Sequence, residues 1–176
     1  LTGVDLSGRD LTGTILTGVD LSGRDLTGTV LTGADLTDAN LTGVDLSGMD
    51  LTGTILTGVD LSGRDLTGTI LTGVDLSGMD LTGTVLTEAN LTDANLTGVD
   101  LSGRDLTGTK FSNANLEGVN LQNTDLRLAE FVQVDFTKIK NKSIAGADMT
   151  GTSFAHSNLS GVDLSGGILE STNFWN

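Results

Sequence analysis

The sequence has no cysteine, no proline and no tyrosine, and its only aromatics are five Phe and one Trp. Without cysteine there are no disulfides and no thiolate metal sites. With so few large side chains, a conventional interlocked core is excluded, and burial has to come from stacking like units. No apolar run approaches the roughly 18 residues that span a bilayer. Bases are scarce: nine Lys and Arg face 23 Asp and Glu, for a net charge of −14. The imbalance is local, because residues 1–109 hold 16 acids and four Arg, whereas residues 110–176 hold seven acids and five bases. Such a surface repels nucleic acid and anionic membranes, and attracts basic partners or proteins that normally grip DNA.

What is present is a period. From Leu1 through Phe136 an apolar residue falls at every fifth position, 25 Leu and three Phe without a slip. Five-residue spacing would smear these side chains around an α-helix, and a simple strand needs period two. The spacing therefore predicts a chain that turns a corner every five residues and always sends Leu inward. In the first 22 units the residue after Leu is Thr or Ser, and the next is Gly in all but three, where Asp38, Glu88 and Asp93 stand. Gly at that position admits positive φ, so type II turns are expected. The residue before Leu, usually Asp, Asn, Ile or Val, is expected to line the outside.

The units Ala34-Asp35-Leu36-Thr37-Asp38 and Ala39-Asn40-Leu41-Thr42-Gly43 carry the A(D/N)LXX signature, and over nearly its whole length the chain resembles the pentapeptide-repeat proteins. The resemblance implies an all-β fold, a right-handed quadrilateral β-helix with four pentapeptides per coil. The central Leu or Phe and the residue two before it would point inward. Thirty-five centres then make about nine coils, a rod roughly 40 Å long at strand spacing. The departure from the family lies two residues before Leu, where small residues are expected but Arg9, Arg24, Arg64, Arg104, Met49 and Met79 occur. An isolated buried guanidinium is costly, so each head must escape through the wall or find carboxylates and backbone carbonyls.

A second rhythm, LTGVD-LSGRD-LTGTI, is 15 residues long against the implied coil of 20. One coil advances the pattern by one pentapeptide, so each Arg or Met meets Val or Thr 20 residues away, and large inward residues avoid one another. Two-unit inserts at 31–40 and 86–95 reset the phase. One face then receives Asp5, Asp25, Asp45, Asp65, Val85, Asp105 and Asp125 together with Arg24, Arg64 and Arg104, and its neighbour Asp20, Asn40, Asp60, Asp80, Asp100 and Asn120. The face opposite the first alternates Ile15, Asp35, Ile55, Asp75 and Asn95. These two adjacent acidic faces are the candidate interaction surface, and the Arg rungs are expected to neutralise part of the carboxylate repulsion.

After Phe136 the period fails once and resumes at Ile144, eight residues on. The sequence thus divides into an uninterrupted solenoid over 1–136, a register-breaking corner loop over 137–143, and a continuation with a C-terminal cap over 144–176. Lys138, Lys140 and Lys142 make this loop the only basic cluster and a candidate recognition loop. Phe174 and Trp175 are candidates for a cap or a dimer contact, and open coil ends invite end-to-end homo-oligomers. The chain starts at Leu1 in register, with no Met and no signal-like stretch, as expected for part of a larger protein. The lack of a signal and of cysteine favours a cytoplasmic setting.

No reactive constellation is visible. There is one His, His156, and no phosphate loop, so neither a catalytic site nor a cofactor is expected. The leading functional reading is a non-enzymatic scaffold that binds a protein whose identity the sequence does not disclose, with no direct contact to nucleic acid and no membrane insertion. The alternative is DNA mimicry directed at DNA gyrase or topoisomerase, of the quinolone-resistance type, which the resemblance implies for some members of the family.

Overall fold

The computed structural model describes residues 4–175; Leu1, the first member of the period-five series, lies outside them. Parallel backbone pairs join residues 20 apart, as at Asp10 and Val30, Ile15 and Asp35, and Asp20 and Asn40, so the coil contains four pentapeptides. We number its faces by the residue before each central Leu: face one runs through Asp5 and Asp25, face two through Asp10 and Val30, face three through Ile15 and Asp35, and face four through Asp20 and Asn40.

The unit 35–39 shows how five residues close one side. Asp35 N donates to Thr14 O on the preceding coil at 2.9 Å, and Leu36 N and Asp38 N donate to Ile55 O and Thr57 O on the following one at 2.9 and 2.8 Å. Ala39 N closes the turn on Leu36 O at 2.8 Å. Thr37 N, the one amide left over, donates to Asp35 Oδ1 at 3.0 Å. Every backbone donor of this unit is thereby satisfied. The third turn residue takes positive φ, 67° at Gly33 and 56° at Asp38. With the bond from the fourth residue back to the first, this is the pattern of a type II turn. Asp38, Glu88 and Asp93 occupy the same left-handed corner as the glycines they replace.

Central Leu residues are buried along the rod, with Leu21, Leu51, Leu71 and Leu101 wholly inaccessible. Inward Thr side chains are satisfied from within: Thr69 Oγ1 donates to Leu46 O at 2.9 Å and Thr84 Oγ1 to Leu61 O at 2.8 Å. Further along, Phe111, Phe131, Phe154 and Phe174 form a parallel stack with centroid separations of 4.8, 5.4 and 5.4 Å. The break after Phe136 shifts the pairing interval from 20 to 23, as at Asp125 and Asp148, and it returns to 20 by Ser143 and Asp163. The added residues form two single helical turns, Phe136–Lys138 and Lys140–Lys142, around Ile139, which stays in the core.

The ladder is uneven. It closes at Ile55, Val85, Asn95 and Lys110, and also at Asp35 and Asp125. It is open from Asp5 through Asp25 and Asp45 to Asp65 on face one, and from Asp60 through Asp80 to Asp100 on face four. Corner bonds such as Gly8 N to Thr27 O and Gly63 N to Thr82 O still tie these coils together. Stacked carboxylates repel, whereas an Asn rung attracts: Asn40 Nδ2 and Asn95 Nδ2 each donate to the Asp one coil earlier, Asp20 and Asp75, at 3.0 Å.

Candidate interaction surface

Each acidic side chain first serves its own turn. Asp45 Oδ1 accepts from Ser47 Oγ at 2.7 Å and Ser47 N at 3.0 Å, and Asp65 does the same with Thr67 at 2.6 and 2.9 Å. This is an Asx turn spanning the Leu. The Thr or Ser hydroxyl, and then the backbone amide, hold the carboxyls of Asp5, Asp20, Asp25, Asp45, Asp60, Asp65, Asp80 and Asp100 below the ordinary aspartate range. Partial desolvation opposes this, and after it the column itself, Asp5 acting on Asp25, Asp45 on Asp65 and Asp60 on Asp80. The carboxylates therefore stay ionised, each with one oxygen engaged in the turn. The Asp-Leu-Thr/Ser spacing was the sequence signal for this bracing, and reading the Asp residues only as an outer charge misses it.

Asp105 and Asp125 are paired across one coil on face one. Asp125 differs from the others: Arg127 binds it through Nε and Nη2, at 2.6 Å for Nη2 to Oδ2, and is first among the causes that lower its pKa. This is the one ion pair among the described residues. Arg24, Arg64 and Arg104 are half-buried and Arg9 is exposed. None of them bridges the carboxylate columns. Arg104 Nη1 donates to Thr84 O at 3.3 Å, and the Nε atoms of Arg64 and Arg104 are buried without a partner. The expected Arg rungs are thus side chains that leave the lumen and act on the acids at a distance. Arg24 and Arg64 contribute a minor lowering at Asp20 and Asp60, and Arg104 at Asp80. Beside Arg24, the bare corners Gly23, Gly43 and Gly48 leave an open depression of about 590 Å³ floored in part by Met49.

Lys138, Lys140 and Lys142 are exposed at the corner between faces three and four. Phe174 stacks on Phe154, and Trp175 meets His156 edge-on at 5.2 Å while remaining 70% exposed. His156 is exposed too. Among the described residues no three His, Asp or Glu are grouped to hold a metal ion, and no helix is long and apolar enough to cross a membrane.

The family described as pentapeptide repeats (8 copies) matches residues 1–33, 34–73, 71–103, 105–140 and 143–176. No curated protein matches. Among solved structures, the chain is 31% identical to HetL, a pentapeptide repeat protein involved in heterocyst differentiation regulation from the cyanobacterium Nostoc sp. strain PCC 7120, over 97% of this chain and 86% of that one, with a TM-score of 0.49. It is 22% identical to a trypsin-treated form of QnrB1, a plasmid-mediated fluoroquinolone resistance protein, over 95% and 84% of the two chains, with a TM-score of 0.57. To Rfr23, a pentapeptide repeat protein from the cyanobacterium Cyanothece 51142, it is 29% identical over 71% and 89%, with a TM-score of 0.34. The repeats cover almost every residue and build one stacked β-coil, and the chain belongs to the pentapeptide-repeat family.

Proposed function

We propose that the chain is a non-enzymatic scaffold whose faces one and four bind a basic protein partner. The rod we envisage is right-handed, quadrilateral and about nine coils long. The observation that carries the reading is the pair of adjacent Asp columns, held ionised by their own turns and left uncapped by the half-buried arginines. Rigid, regularly spaced carboxylates steer and orient a cationic surface without chemistry of their own. Cross-linking and affinity capture of the chain with charge-neutral Asn at Asp45, Asp60, Asp65 and Asp80 provide the test. Partners retained equally by the native and the neutralised rod would sink the reading.

The same columns support a second reading, a mimic of DNA that occupies the DNA site of gyrase or topoisomerase. One carboxylate per coil, about 4.8 Å apart, is a sparser charge than one phosphate per roughly 3.4 Å on each DNA strand, and the Arg side chains dilute it further. The basic-partner reading is therefore preferred. Supercoiling by gyrase, with and without quinolone, separates the two: neither inhibition nor protection by the rod rejects mimicry.

A further inference from the structure

An acidic column that repeats every coil has a defect as a binding surface. On face four Asp60, Asp80 and Asp100 are bounded on both sides by a neutral residue, Asn40 and Asn120, so the column reads alike from either end and offers affinity without direction. Something on the face has to break the degeneracy. The loop that follows Asn120 does so, because beyond Asn40 the column simply continues to Asp20.

This loop is built, not slack. Gly118 N donates to Lys138 O at 2.9 Å and Lys140 N to Val119 O at 2.9 Å, which seats it on the preceding coil, while Asp163 N reaches Lys142 O at 2.8 Å from the following one. Ile139 and Ser143 are buried at 3% and 4% exposure and pin its two ends. Asn141 and Lys142 take φ of 57° and 48°, so the backbone turns outward between the pins. Lys138, Lys140 and Lys142 project from it, and none is in an ion pair. Lys140 acts on Asp100, the last carboxylate of the face-four run, and Lys138 with Lys142 on Asp135, a single carboxylate on face three. Face four is therefore a strip of two signs, carboxylates from Asp60 to Asp100 and ammonium groups beyond Asn120.

We propose that the loop sets the direction of the bound partner. It rests on the reading of faces one and four as a partner surface. The three ammonium groups receive an acidic end of the partner segment, and the basic residues of that segment run along face four toward Asp60. Four coils separate Lys140 from Asp60, about 19 Å, the reach of about six extended residues. The partner is accordingly a polypeptide segment with acidic residues at one end and basic residues along the rest. A uniformly basic segment would bind in either direction.

Two synthetic peptides of equal length and net charge test this by titration calorimetry at low salt. One has two glutamates at one end followed by five arginines, and the other has three arginines and no acid. The native chain should bind the first about fivefold more tightly, the scale of a few exposed ion pairs. In the Lys138→Gln, Lys140→Gln, Lys142→Gln triple variant that advantage should vanish, while the purely basic peptide binds no more weakly than before. Because the chain has no cysteine, one can be introduced at Glu117, beside the loop, or at Thr57, remote from it, and a thiol-reactive group at the acidic end of the first peptide should label mainly Glu117→Cys. Equal affinity of the two peptides for the native chain, an advantage that survives in the triple variant, or equal labelling at both positions overturns the proposal. Failure of both peptides to bind brings down the acidic-surface reading itself, and the proposal with it.

Discussion

Replacing Arg64 by Met tests how the rod accommodates a guanidinium in a position its repeat reserves for small residues. Arg64 stands between Val44 and Thr84 in the inward column, is half-buried, and has a buried Nε with no hydrogen-bond partner. A buried unsatisfied donor costs about 1–3 kcal/mol. Met49 and Met79 fill the same kind of site and pack against the core, so the thioether fits with little repacking. No ion pair is lost. The weak attraction toward Asp60 disappears, and the net charge moves from −14 to −15. Arg64→Met should therefore stabilise the rod by about 1 kcal/mol. The gain should be larger at high salt than at low salt, where the added repulsion is less screened. Arg104→Met should come out near neutral, because it also strips Thr84 O of its donor at 3.3 Å. Urea unfolding followed by circular dichroism at two salt concentrations reads both variants. Breaking a buried, paired charge would instead cost about 3–5 kcal/mol, so a loss of more than about 1 kcal/mol for Arg64→Met would refute the absence of pairing.

Several other measurements bear on the same architecture. The Asp carboxyls titrate lower in the folded rod than in the unfolded chain, so the stability they contribute is complete above the ordinary aspartate pKa of 3.8. It is lost as pH falls through their lower folded-state values, and an acid titration with no loss of structure below that point would contradict the turn bonds. Amide exchange should be faster at Asp45 and Asp80, where the ladder is open, than at Val85 and Ile55, where it is closed; uniform protection would contradict the open rungs. Leu128 is 65% exposed and holds φ at 59°, a conformation that costs a non-glycine residue about 1–2 kcal/mol, so Leu128→Gly should raise the denaturation midpoint. Phe131→Ala removes the middle of the aromatic stack and its edge contact with Phe136 at 5.1 Å, and should cost about 4 kcal/mol on thermal unfolding.

Much of this was legible in the letters because a solenoid writes its geometry into a period. Leu every fifth residue located the core. Asp38, Glu88 and Asp93 at glycine positions marked corners that had to accept positive φ, and they do. The eight-residue gap after Phe136 located the change in pairing interval. Composition and spacing could not say how an Arg leaves the lumen, because the route depends on which neighbouring oxygen it meets; only Arg104 finds a carbonyl in range. Nor did the faces disclose that their ladder opens wherever Asp follows Asp along face four from Asp60. That effect belongs to neighbours 20 residues apart and is not a matter of charge alone, since the rung from Val85 to Asp105 is open and the rung from Asp105 to Asp125 is closed.

The structural and binding duties of the acids can be separated on Asp60. Its Oδ1 accepts from Ser62 N at 2.9 Å and Ser62 Oγ at 2.6 Å, and these two bonds are its only hydrogen bonds within the protein. Its Oδ2 is thus available to a partner while the turn stays intact. Asn keeps the turn acceptor, as Asn40 does for Thr42 N at 3.0 Å, but carries no charge and offers an amide to the column. Ala keeps neither. Asp60→Asn should accordingly leave unfolding unchanged or delayed while weakening a basic peptide, whereas Asp60→Ala should both weaken the peptide and lower stability. If Asn destabilises the rod as much as Ala, the carboxylate charge itself holds the turn. If Asn leaves the peptide affinity untouched, Oδ2 is not part of the surface and face four does not bind through its carboxylates.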